Sequence, residues 1–258
     1  MLSPEMTLDP EKIKKYLRHG KSSFKTFSMG YTNPQKEMIE RFDLKVQKDF
    51  DHFGSITDME GLNAFLSTLG TNTPDDIKKM EKLVMSITRK VLKGYKKKHF
   101  WMDIRVRQPN HDFDIPRWHK DGPFFSSTDP NELNTSKFVT VLKGPGTLLI
   151  KGTKHVNQIL EEYWQERRKE ARPTKTKKEM IEQSVRLENK FRPILAEKLA
   201  DEQVVQVKNS QGLVFFTGVP FEKGALHSEP PIDVPRMFIS ILPSSEVNIM
   251  GLQERWSK

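Results

Sequence analysis

The chain contains no cysteine. Disulfide frameworks, thiolate zinc fingers, iron–sulfur clusters and cysteine catalysis are therefore excluded together. The absence fits a reducing compartment. No run of apolar residues is long enough to span a bilayer. The opening residues, MLSPEMTLDPEKIKKYLRHG, carry no apolar stretch ahead of a cleavage signature. That pattern points away from a secretory signal and toward a cytoplasmic or otherwise intracellular chain without a membrane partner. On that expectation the sequon Asn134-Thr135-Ser136 is a chance match. No internal repeat of solenoid period is present.

The 258 residues allow one large domain or two ordinary ones. Tyrosine and tryptophan are scarce at four each, but 16 phenylalanines and an apolar fraction of 35% supply a core and exclude a disordered chain. Lys and Arg number 43 against 34 Asp and Glu, a formal charge of +9. That balance favours an acidic substrate or a nucleic acid as partner, though no nucleic-acid motif accompanies it.

Residues 1–99 read as a helical N-terminal extension packed on the rest. Asp9-Pro10-Glu11, Asn33-Pro34 and Thr73-Pro74-Asp75-Asp76 are helix starts, with Pro in the first turn. Asp58 to Leu69 reads as a further helix. Ile77, Met80, Leu83, Val84, Ile87 and Val91 form one apolar stripe, and Lys93-Gly94 ends it. The texture changes at Phe100. Short strands separated by Gly/Pro turns are expected around Trp101–Val106, Ile115–His119, Phe138–Leu142, Thr147–Ile150, Val204–Val207, Leu213–Phe216, Ala225–His227 and Met237–Leu242. Residues 153–200 interrupt them with a helical insertion. Residues 151–200 carry 13 Lys or Arg against 8 Asp or Glu, so this stretch is a charged excursion from a sheet domain. It is a candidate lid over the mouth, or a binding surface for an acidic macromolecule. Many short strands with such turns predict a double-sheet barrel or jelly roll over a parallel α/β sheet.

The chemistry concentrates in two stretches. In Pro116-Arg117-Trp118-His119-Lys120-Asp121-Gly122, His119 and Asp121 stand two apart, which on an extended backbone puts both on one side. The second stretch supplies a distant His227 between strands and, nine positions on, Arg236 at the head of an apolar strand. A buried arginine needs an acceptor, and a dicarboxylate satisfies it through a bidentate pair. Two histidines and one carboxylate leave open positions on an octahedral ion, the facial arrangement of non-haem Fe(II) oxygenases. His111, with Asp112 and Asp114, is a competing cluster in a turn.

On these residues, over roughly positions 100–245, the chain resembles the Fe(II)/2-oxoglutarate-dependent dioxygenase superfamily. The resemblance implies a distorted double-stranded β-helix, a jelly-roll or cupin-like barrel, spanning residues 100–258. It implies His119, Asp121 and His227 as iron ligands, and Arg236 as the holder of the distal carboxylate of 2-oxoglutarate. Dioxygen is then the cosubstrate, and the reaction couples decarboxylation to succinate with oxidation, most often hydroxylation, of a substrate C–H bond. One departure is that the position two after Arg236, often Ser in the family, is Phe238. Thr140 and Thr217 are candidates for the missing hydrogen bond. Trp118, Phe124 and Phe125 are candidate pocket walls or plain core, and Arg105, Arg107 and Arg117 are candidates at the mouth. The primary substrate stays open among a small metabolite, an amino acid, a protein side chain and a nucleobase. Two other classes stand beside this one: a zinc-dependent hydrolase on a cupin-like barrel, and a non-catalytic jelly-roll module that binds nucleic acid.

Overall fold

The structure is a computed structural model, and it describes residues 8–125, 135–217 and 223–256. Asn134 of the sequon lies outside them. Nine strands and seven α-helices are described in chain order. They are α1 (Pro10–His19), β1 (Phe24–Ser28), α2 (Asn33–Arg41), β2 (Lys48–Ser55), α3 (Leu62–Ser67), α4 (Pro74–Tyr95), β3 (His99–Arg107) and β4 (Ser136–Lys143). After these come β5 (Leu148–Ile150), α5 (Lys154–Glu170), α6 (Lys177–Lys198), β6 (Val204–Gln206), β7 (Gln211–Phe216), β8 (Leu226–Ser228), β9 (Arg236–Ser244) and α7 (Glu246–Trp256).

The helix starts read from the sequence are capped as expected. The Asp9 carboxylate accepts from the Glu11 amide, Thr32 and Gln35 form a capping box, and the Thr73 hydroxyl accepts from the Asp76 amide. All six residues of the α4 stripe are buried. They pack on one face of a six-stranded sheet of order β1-β7-β4-β9-β3-β2. A second sheet has the order β6-β5-β8, and His119 extends it by an antiparallel bridge to His227.

The pairing is nested. β3 pairs with β9, His119 with β8, β4 with β7, and β5 with β6, all antiparallel. Successive nested pairs fall alternately in the large and the small sheet. That is one long hairpin wound into two facing sheets, the double-stranded β-helix form of the jelly roll. On β9, Met237, Ile239 and Ile241 face the α4 side, together with Phe100, Met102, Ile104 and Val106 of β3. By strand alternation Arg236, Phe238 and Ser240 face inward. Val139, Leu149, Val207, Leu213, Phe215 and Ala225 fill the space between the sheets.

Three sequence expectations are corrected. The N-terminal hundred residues are not only helical: β1 pairs with β7 and β2 with β3, so they supply both edge strands of the large sheet. The charged pattern of Lys48–Ser55 hides β2, where Asp49 and Asp51 alternate with Phe50 and the buried His52. The strand expected over Ile115–His119 shrinks to the single bridge at His119. Pro243 lies inside β9, where β4 pairs only as far as Ile241, so one side of the strand is free to lack an N–H. The insertion forms the helical hairpin α5–α6, as expected. However, Val156, Ile159, Leu160, Tyr163, Leu187, Phe191 and Leu195 pack on Ile150 and Leu226. Those two alternate with the inward Leu149 and His227, so the hairpin covers the outer face of the small sheet and does not lie across the mouth.

Candidate metal centre

The small sheet brings the three expected ligands together. The backbones of His119 and His227 exchange two hydrogen bonds, 2.9 and 3.0 Å long, and their rings stand 4.2 Å apart between centroids. Asp121 follows two residues after the bridge. Its Oδ1 lies 3.7 Å from His119 Nε2 and 3.8 Å from His227 Nε2. One donor atom from each residue lies within 4.8 Å of the others, and this is the one such group found among the described residues. Ligand atoms about 2.1 Å from a shared ion can stand at most about 4.2 Å apart, so both aspartate–imidazole separations fit a single ion.

The tautomers are set for ligation. Each histidine turns Nδ1 toward the carbonyl two residues earlier, His119 toward Arg117 at 2.8 Å and His227 toward Ala225 at 3.0 Å. A proton on Nδ1 leaves Nε2 with its lone pair toward the cluster. Burial, with His119 alongside, pushes His227 down to about 4, so its ring is neutral at pH 7 as a metal ligand must be. Burial works against the Asp121 carboxylate. Lys137 and the two histidines outweigh it and hold the group well below the usual carboxylate range. The Phe215 ring packs 4.8 Å from that of His227.

Arg236 is 3% exposed. Its Nε donates to the Pro145 carbonyl at 2.8 Å, and its guanidinium stands 5.0 Å over the Phe238 ring. The expected Ser position is thus occupied by an aromatic floor. The Lys143–Gly146 turn sets this pose. Gly144 has φ +87°, and a Cβ there would meet the Arg236 Cα at 2.8 Å. Among the described residues no carboxylate pairs with Arg236. Burial pulls its guanidinium down to about 10, against the opposing field of Glu229. Glu229 also senses Arg117, His119 and His227, so it is the electrostatic neighbour that the arginine and the histidines share.

The other candidates have other partners. His111 pairs with Asp114 at 2.8 Å on an exposed turn, away from the cluster. Arg105 pairs with Asp103 at 2.6 Å, Arg117 with Glu229 at 2.7 Å, and Arg107 grips Asp49 with both terminal nitrogens. All three are spent on acids of the fold. Thr140 donates to the Gln211 carbonyl at 3.1 Å. It shares the helix-covered face of β4 with Phe138 and Leu142, so it does not reach the inner face. Thr217 lies at the end of β7, where its hydroxyl meets that of Thr135 at 2.5 Å. Trp118 packs into the hairpin core outside the barrel, and Phe125 packs with Trp101 and α7.

Two residues of the centre escape the sequence reading. Lys137 pairs with Asp121 at 2.6 Å, and Glu229 is half-buried and electrostatically coupled to His119 and His227. A lysine two and four positions before Val139 and Val141, on one side of an apolar strand, is a legible signal for an inward cation.

No family model and no curated protein matches the chain. Among solved structures it is similar to the apo form of the Kdo hydroxylase KdoO, a non-heme Fe(II) alphaketoglutarate dependent dioxygenase. Identity is 9%, coverage is 100% of this chain and 96% of that one, and the TM-score is 0.48. A Pseudomonas putida prolyl-4-hydroxylase matches at 10% identity, with 92% and 98% coverage and a TM-score of 0.40. The rice dioxygenase for auxin oxidation matches at 9%, with 91% and 78% coverage and a TM-score of 0.42. No helix among the described residues is long and apolar enough to cross a membrane.

Proposed function

We propose that the chain is a non-haem Fe(II)- and 2-oxoglutarate-dependent dioxygenase. In this reading it is a hydroxylase that couples decarboxylation of 2-oxoglutarate to succinate with oxidation of a substrate C–H bond. The observation that carries the reading is the convergence of His119, Asp121 and His227, with both Nδ1 atoms committed to backbone carbonyls. Two neutral imidazoles and one carboxylate suit a divalent ion and leave positions for exchangeable ligands. When bound, iron with 2-oxoglutarate supplies the dioxygen activation and the C–H oxidation.

The chain's own residues do the rest. The imidazoles present fixed lone pairs, and Asp121 contributes the one negative charge of the ligand set. Arg236 receives the distal carboxylate of the cosubstrate. Its Nε is held by Pro145, which leaves the two terminal nitrogens for that carboxylate. Phe238 beneath the guanidinium and Phe215 beside His227 keep water from the charged groups. A zinc hydrolase would give Arg236 no task, and a nucleic-acid module would not require the three donors to converge.

The test is an anaerobic absorption titration of metal-free protein with Fe(II) and then 2-oxoglutarate. A weak visible charge-transfer band that needs both additions is expected. Absence of the band, with no iron retained, would overturn the reading.

A further inference from the structure

Asp121 has a charged or polar neighbour at each oxygen. Oδ1 faces the two Nε2 atoms, while Oδ2 forms the 2.6 Å ion pair with Lys137 Nζ. Both side chains are nearly buried, at 12% and 13% exposure. Strand alternation places Lys137 on the inner face of β4 with Val139 and Val141. Its ammonium sits between two aromatic rings, 5.4 Å from the Phe124 centroid and 5.2 Å from that of Phe215. Phe215 in turn packs on His227. Ring faces attract a cation, so the two phenylalanines fix the ammonium where it meets Oδ2.

A carboxylate beside a divalent ion has two modes. It gives one oxygen and leaves the neighbouring coordination position to solvent, or it rotates, gives both and takes that position. The distinction matters because the reaction proposed above needs those positions for its cosubstrates. An ammonium on Oδ2 makes the second mode costly. Rotation would strip a buried lysine of its only carboxylate partner among the described residues, and an unpaired buried charge is expensive. With the ammonium on Oδ2, Oδ1 is the oxygen that faces the two imidazoles.

We propose that Lys137 is a positioning residue of the metal centre, holding Asp121 to single-oxygen ligation and so keeping a coordination position exchangeable. The role rests on the metal-centre reading. It concerns the aspartate's mode of binding, not the presence of the ion.

The test uses the full chain with Mn(II) as the probe and counts its exchangeable waters by water-proton relaxation. Three protein ligand atoms on a six-coordinate ion leave about three waters. That count is expected for the wild-type chain and for K137R, whose guanidinium restores the cation. Two apolar replacements, K137M and K137A, are made so that one folded variant is enough, with circular dichroism as the check. Each is expected to lose about one water while still binding Mn(II). An apolar variant that keeps the wild-type count overturns the role of Lys137 and leaves the metal centre standing. A wild-type chain that binds no Mn(II) overturns the metal-centre reading, and the lysine's role with it. Neither outcome depends on turnover.

Discussion

The two sheets of the barrel are covered in different ways. The large sheet is buried under α4, whose apolar stripe runs the length of the helix, and some thirty buried residues join in that core. The small sheet has three short strands and is covered by the charged hairpin α5–α6, which buries a third as many residues and leaves Met180, Ile181 and Val185 about half exposed. Yet the small sheet carries His119, Asp121 and His227. The large sheet carries none of these three but presents Lys137 and Arg236 inward. Packing and the proposed chemistry are thus divided: the large sheet is the frame, and the small sheet with its hairpin is the holder of the proposed ligands.

The largest effect should come from the ligands themselves. H119A and D121A are expected to abolish iron-dependent turnover and to weaken Mn(II) binding at least 100-fold, with circular dichroism unchanged. Full turnover in either variant would remove that residue from the ligand set. Next comes the frame. Phe100 of β3 is fully buried in the core beneath α4, so F100A should cost about 3–5 kcal/mol of unfolding free energy. The metal affinity of the protein that stays folded should hardly move. A matching loss of metal affinity in folded F100A would break the division between frame and holder.

Arg236 stands between the two cases, because it belongs to the frame and faces the site. A bidentate charge-assisted pair contributes roughly 1.5–3 kcal/mol. R236M should therefore raise the 2-oxoglutarate requirement about 10- to 100-fold while leaving the Mn(II) affinity near wild type. Equal requirements for both in R236M and the wild type would free Arg236 from the role.

How much of this is legible depends on whether the residues signal locally. The α4 stripe, its Thr73 cap and the Lys143–Gly146 turn follow from period and turn chemistry alone, and they appear where expected. The His-x-Asp spacing marks two of the three converging side chains because the pattern is short. β2 is not legible, because its partner β3 lies some fifty positions away and its own residues look solvated. The pairing of Arg107 and Arg117 with Asp49 and Glu229 is hidden for the same reason: each acid comes from a distant segment. Lys137 can be read as inward but not as a partner of Asp121, since that contact needs the closed barrel.

The smallest effect tests the holder directly. Arg192 of α6 donates from Nε to the Ile115 carbonyl at 2.8 Å and from a terminal nitrogen to the carbonyls of Asp112 and Ile115. Its guanidinium also lies 5.4 Å from the Phe113 ring. Lys120, between two ligands, donates to Asn157 of α5 at 3.1 Å. The hairpin thus grips the segment that delivers His119. R192A removes hydrogen bonds contributing roughly 1–2 kcal/mol together, a local loss that global unfolding, set by the large sheet, should barely register. Released amides across residues 110–119 should exchange faster in hydrogen-exchange measurements, and Mn(II) affinity should fall by up to about 10-fold, the equivalent of about 1.4 kcal/mol. Unchanged exchange across that segment, or a drop in global stability as large as that of F100A, would mean that the hairpin serves the frame after all.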